Sequence, residues 1–143
     1  MPNTPQIRVL IADDHLLFAE ALGLTLDADP RLEVVGVARD GLEVVDLARE
    51  LRPDVILMDL DMPVSDGVTA TQKLLKASPA RVAILSASTS PEDAQRARDA
   101  GASAFLTKDC STAEVVDAVL ELGAPETFRL GPGPLQFRVT LTH

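Results

Sequence analysis

Tryptophan and tyrosine are absent from the chain, and only four phenylalanines stand among its 143 residues. A core without large rings has to be filled by Leu, Val, Ile and Ala, which suits helices laid on a parallel sheet. Cysteine is reduced to Cys110, which excludes an internal disulfide framework, fits a reducing compartment and is read as structural. No apolar run is long enough to cross a bilayer. Residues Met1 to Gln6 lack the basic segment and apolar stretch of a secretory leader. A soluble, cytoplasmic protein without membrane association is expected. Positive charge is scarce, 13 Lys and Arg against 22 Asp and Glu, for a net charge of −9. Such a chain repels phosphate backbones unless a basic patch overrides the field, and none is visible, so nucleic-acid binding by this chain alone is not expected. A glycine-rich turn is missing after the first apolar run. Asp13-Asp14-His15 stands where a dinucleotide-binding fold would need glycines to approach a pyrophosphate.

What is present is the composition of one ordinary domain, 46% hydrophobic and 24% charged. Short apolar runs alternate with amphipathic stretches five times, the sign of repeated strand-helix units and a parallel sheet. The strands are read at Ile7–Ala12, Glu33–Val37, Val55–Met58, Val82–Leu85 and Ala104–Thr107. Between them, Phe18, Ala21, Leu22 and Leu26 mark the buried face of a first helix, and Val44, Ala48 and Leu51 that of a second. Val68, Thr71, Leu74 and Leu75 mark a third, Ala94, Ala97 and Ala100 a fourth, and Val115, Val119 and Leu122 a fifth. Asp40 with Glu43 and Ser111 with Glu114 have the spacing of capping boxes. Ser90-Pro91-Glu92 supplies a capping hydroxyl, a proline at the first helical position and an acid at the positive end of the helix. The third strand lacks polar alternation and is read as central, delivering Asp59 to its carboxyl end. The fourth helix buries only alanines and is read as the most displaceable element.

In open parallel sheets functional groups collect beyond the carboxyl ends of the strands. Asp13 and Asp14 follow the first strand, Asp59 ends the third, Ser86 ends the fourth and Lys108 follows the fifth. If the sheet has the order two-one-three-four-five, the first and third strands are neighbours and these side chains converge. Three carboxylates in one pocket repel each other, and a hard divalent ion with oxygen ligands relieves that repulsion. Mg²⁺ (or Mn²⁺) uses one or two carboxylates plus a phosphate oxygen, which leaves another Asp as a nucleophile toward phosphorus. The lysine and the metal then neutralise the transferring group. Taken singly, any of these acids could be a surface or capping residue; their ordered recurrence at successive strand ends favours a site.

The quoted segments resemble the receiver (CheY-like) domains of two-component response regulators from about Ile7 to Leu122. They are Ile11-Ala12-Asp13-Asp14-His15, Asp54 to Pro63, Asp66-Gly67, Leu85-Ser86 and Gly101 to Asp109. The resemblance implies a flavodoxin-like (βα)5 fold, doubly wound around a parallel five-stranded sheet of order 2-1-3-4-5. It also implies a signalling domain that promotes its own phosphotransfer and dephosphorylation, rather than an enzyme acting on a separate substrate. On that basis Asp59 is the phosphoacceptor, fed by a sensor histidine kinase. Asp14 directly, and Asp13 partly through water, organise the metal with Asp59 and the backbone carbonyl of Asp61. Lys108 pairs with the phosphoryl oxygens, Ser86 donates its hydroxyl to another, and Phe105 is the aromatic whose rotamer follows Ser86.

The Asp-Asp-His opening and Lys-Asp ending resemble the NarL/FixJ-like branch, whose members usually carry a C-terminal helix-turn-helix domain and control transcription. Residues 1–123 are read as the receiver and 124–143 as a tail without that output domain. With Asp109 after the lysine, a trans peptide is expected there. In the tail, Leu135, Phe137, Val139 and Leu141 alternate with polar residues beyond Gly131-Pro132-Gly133-Pro134. Such a strand must join a sheet edge, pair with a second copy in a homodimer, or stay disordered. Two rival readings remain: a haloacid dehalogenase-like phosphatase, suggested by Asp59-Leu60-Asp61, and a receiver-like interaction module that never cycles phosphate.

Overall fold

The computed structural model describes residues 5–63, 65–88, 90–124 and 138–140. The chain runs β1 (Ile7–Ala12), α1 (Leu16–Asp27), β2 (Leu32–Ala38), α2 (Gly41–Leu51), β3 (Val55–Asp59) and α3 (Gly67–Ala77). It continues through β4 (Arg81–Ser86), α4 (Pro91–Ala100), β5 (Ala104–Thr107), α5 (Thr112–Gly123) and β6 (Arg138–Thr140). The strands pair in parallel in the order β2-β1-β3-β4-β5-β6.

Strand periodicity divides the core into two layers. Leu10, Ala12, Ile56, Met58, Val82, Ile84 and Phe105 face α2, α3 and α4. Their immediate neighbours Val9, Ile11, Val55, Leu57, Ala83, Leu85, Ala104 and Leu106 face α1 and α5. All five residues of β3 are buried. This is the signature of a strand covered on both faces, and explains why its sequence shows no polar alternation.

The helix starts follow their capping residues. Asp40 accepts the amides of Leu42 and Glu43, Asp66 that of Thr69, Ser90 those of Glu92 and Asp93, and Ser111 that of Glu114. Glu43 reaches back past the cap to the amide of Arg39 at 3.1 Å, so the expected box closes one residue earlier. At the end of α4, Gly101 has φ 105°, and a Cβ there would strike Leu75. Glycine is required at that turn.

Two readings of the sequence need correction. Ala21 is exposed and Ala19 joins Leu26 as a fully buried residue on α1, while Leu75 is 44% exposed on α3. In both helices the three-and-four spacing identified the stripe, and packing decided which residues form its edge. The five parallel strands of the expected fold are all present, and of the places open to the tail strand the sheet edge is the one it takes. The order two-one-three-four-five stands, and Arg138–Thr140 joins β5 outside it, with Ala104 opposite Arg138, Phe105 opposite Val139 and Leu106 opposite Thr140. Leu135, Phe137, Leu141 and the Gly-Pro-Gly-Pro segment lie outside the described residues. No cis peptide bond occurs among the described residues, so the bond after Lys108 is trans.

Candidate functional site

From β1 the chain turns outward through α1 to β2, whereas β3 pairs on the other side of β1, so a crevice opens at the carboxyl ends of β1 and β3. Asp13 and Asp14 leave β1 on one side and Asp59 ends β3 on the other. Asp13 is 2% exposed and its amide donates to the Ala38 carbonyl at 2.9 Å, which ties the acid pair to the end of β2. The Asp14 side chain is 38% exposed, at the mouth. Behind Asp59, Gly67 packs so closely that a Cβ would lie 2.5 Å from the Asp59 carbonyl oxygen. Its amide donates to the Leu60 carbonyl at 2.8 Å. Any side chain at that position would push the β3 end out of line.

Lys108 closes the site from β5. Its amide donates to the Ser86 carbonyl at 2.8 Å, which fixes the turn. Its ammonium lies 2.8 Å from Asp13 Oδ2 and 3.4 Å from Asp59 Oδ2, and stands over the Phe18 ring with Nζ 4.8 Å from the centroid. Asp59 Oδ1 accepts the Asp61 amide at 3.4 Å, while Asp59 Oδ2 is buried without a hydrogen-bond partner. Burial, and after it the Asp13 carboxylate, push the Asp59 carboxyl above its ordinary range against the pull of Lys108. A buried carboxylate oxygen that makes no hydrogen bond, beside two other acids and with one ammonium for the three, is the arrangement a hard cation would complete, so these residues fit a divalent metal.

The sequence-derived residues separate into two groups. Asp13, Asp14, Asp59 and Lys108 meet at one point, and the amide of Asp61 touches Asp59 although its side chain is exposed. Ser86 and Phe105 stand one step behind. Ser86 is 1% exposed at the end of β4, one residue past the partner of Asp59 in the β3–β4 ladder, and its Oγ accepts the Ser88 amide at 3.0 Å. Phe105 is fully buried in the layer that α4 covers. One site residue was missed: His15, quoted with the acid pair but given no role. Its Nδ1 lies 3.1 Å from Asp13 Oδ1, 3.6 Å from Asp14 Oδ1, 3.8 Å from Asp59 Oδ2 and 3.3 Å from Lys108 Nζ. Adjacency to the acid pair was the available signal; the approach to Asp59 and Lys108 depends on the fold.

A doubly wound parallel sheet with acids at its switch point and a lysine after the fifth strand defines an α/β phosphotransfer class. The chain matches the response regulator receiver domain over residues 9–120 and belongs to that family. It is 44% identical over 105 residues to a protein-glutamate methylesterase/protein-glutamine glutaminase of Photobacterium profundum, a match covering 71% of this chain and 26% of that protein. It is 41% identical over 114 residues to the transcriptional regulatory protein LiaR of Bacillus subtilis, covering 79% and 54% respectively. The chain therefore spans between about a quarter and a half of these relatives' length. The signal receiver domain of the response regulator NarL from Mycobacterium tuberculosis superposes with a TM-score of 0.81 at 36% identity, covering 84% of this chain and 98% of that one. One of these relatives is named a methylesterase/glutaminase and another a transcriptional regulator, and this chain does not fix which output applies.

Proposed function

We propose that this receiver accepts a phosphoryl group on Asp59 from a sensor histidine kinase, in a reaction dependent on Mg²⁺ or Mn²⁺. The observation that carries it is Asp59 Oδ2, buried at the end of the central strand without a hydrogen bond, in ion-pair range of Lys108 and facing the Asp13–Asp14 pair. A carboxylate oxygen of Asp59 attacks phosphorus, the bond from phosphorus to the donor's imidazole nitrogen breaks, and an acyl phosphate forms. Lys108, released from Asp13 and Asp59, pairs with the phosphoryl oxygens. Asp14, Asp13, Asp59 and the Asp61 carbonyl would hold the metal, which when bound neutralises the charge gathering on the transferring group. Water attack on the acyl phosphate returns inorganic phosphate and the Asp59 carboxylate.

The donor has to approach over the rim formed by α1, where Leu17 is 84% exposed beside the acid pair. Apolar surface at that point supports a protein partner. Ser86 takes up a hydrogen bond to the new phosphoryl group, and the switch spreads through Phe105 to α4 and the β5 edge. Control of transcription through a linked output is the use we assign to it, and a homodimer is one form that output could take. No described helix is long and apolar enough to cross a membrane.

Incubation with acetyl phosphate and Mg²⁺ should add one phosphoryl group to the intact mass, and Asp59→Asn should abolish the addition. Labelling of that variant at the wild-type rate would reject the assignment. Sustained multiple-turnover hydrolysis of a phosphomonoester would instead revive the haloacid dehalogenase-like reading of Asp59 and Asp61. A phosphate-inert protein would support the interaction module.

A further inference from the structure

His15 brings a nitrogen donor to a site otherwise made of oxygens. One ligand atom each from Asp13, Asp14, His15 and Asp59 lies within 4.8 Å of all the others. Oxygen and nitrogen ligands of a small dication stand closer to one another than this, so the four donors would have to draw in around a bound ion, which the exposed His15 and Asp14 side chains are free to do. The ring is held for this. The His15 amide donates to Asp13 Oδ1 at 2.8 Å, which turns the chain back so that Nδ1 stands over the three carboxylates. The side chain is 68% exposed, so it enters from the solvent side and can move with a bound ion, while Asp59 Oδ2 waits below without a hydrogen-bond partner. Without an ion the ring is held by Asp13 Oδ1 at 3.1 Å and Lys108 Nζ at 3.3 Å, and although His15 is the N-cap residue of α1 it makes no side-chain capping bond, so Nδ1 is free of any structural duty to the helix.

Imidazole is a good ligand for Co²⁺, Ni²⁺ and Zn²⁺ and a poor one for Mg²⁺, which prefers carboxylate, carbonyl and water oxygens. We propose that His15 Nδ1 is a fourth protein ligand of the acidic cluster and biases it toward first-row transition-metal dications over Mg²⁺. The inference rests on reading the cluster as a divalent-cation site. It concerns which ion fills that site rather than whether one does.

Carboxylate sites already favour transition metals along the general affinity order, so the informative quantity is the effect of removing the ring on each metal separately. The chain has two histidines, and the second, His143, is replaced throughout by His143→Ala to remove a competing imidazole. Calorimetric titration of Mg²⁺, Mn²⁺, Co²⁺ and Ni²⁺ is compared between that background and its His15→Ala derivative. The His15 side chain is exposed and caps nothing, so folding should be preserved. Loss of the ring should weaken Co²⁺ and Ni²⁺ binding by at least about tenfold and Mg²⁺ binding by less than about twofold. X-ray absorption of the Ni²⁺ form should show one nitrogen scatterer that the variant loses. An equal effect on all four metals, no effect on any, or tighter binding of all of them, as expected if the ring only blocks the pocket, overturns the inference. If Mg²⁺ fails to bind the background protein at all, the acidic-site reading fails first, and with it this one.

Discussion

Helices α4 and α5 flank β5 from opposite faces of the sheet and begin in nearly the same way. Each has a serine cap, Ser90 or Ser111, that accepts amides of the first turn, and each places acid there. They differ in what they bury: α4 offers Ala94, Ala97 and Ala100, and α5 offers Val115, Ala118, Val119 and Leu122. At roughly 0.8 kcal/mol per buried methyl-sized group and about 2 kcal/mol per larger aliphatic side chain, α5 is held by on the order of 4 kcal/mol more apolar burial. Local capping makes both segments helical, while side-chain volume decides how firmly each is fixed. The loosely held helix is the one over Phe105, on the side where β4 delivers Ser86.

The largest expected effect separates the two helices directly. Leu122→Ala should cost about 3 kcal/mol of unfolding free energy in urea, because it leaves a cavity under α5. Ala97→Gly should cost about 1 kcal/mol, mostly helix propensity. Comparable losses for the two substitutions would mean that burial does not rank the helices as argued.

A smaller effect follows on activation. Phosphorylation should change hydrogen exchange in the loop after β4 and in α4 by about tenfold, with α5 amides little altered, because the weakly packed unit opens at lower free energy. Ser86→Ala should still accept phosphate and lose most of that change, since the charge-assisted bond to the phosphoryl group is gone. An undiminished response in Ser86→Ala would disconnect Ser86 from α4.

Much of this was legible because it is local or periodic. The two-residue strand period sorts Leu10 from Val9 and Phe105 from Leu106, and the capping acids and hydroxyls carry their own partners within three residues. The convergence of Asp13, Asp59 and Lys108 required strand order as well, and that came from the family resemblance rather than from any spacing. Ala19 was displaced by Ala21 in the reading of α1 because a helix stripe is wider than one residue and the sheet selects its edge. His15 was overlooked because its surroundings come from three separate strand ends.

The alternation in the tail indicated a half-buried strand and left its partner open. Arg138–Thr140 in fact lies parallel to β5 within the same chain. That placement reverses the sign of the simplest deletion experiment. A strand shared between two copies would make a shortened protein more monomeric, whereas an intramolecular strand covers an edge that deletion exposes. Removing Gly131 to His143 should therefore leave Asp59 phosphorylation intact and lower stability by less than about 1 kcal/mol, since only three residue pairs are lost. Hydrogen exchange should quicken at the β5 amides that face β6, and light scattering should show the same mass or a rise with concentration. A fall from dimer to monomer on deletion would show that the strand pairs between copies in solution. Unchanged exchange along β5 would show that β6 does not protect that edge.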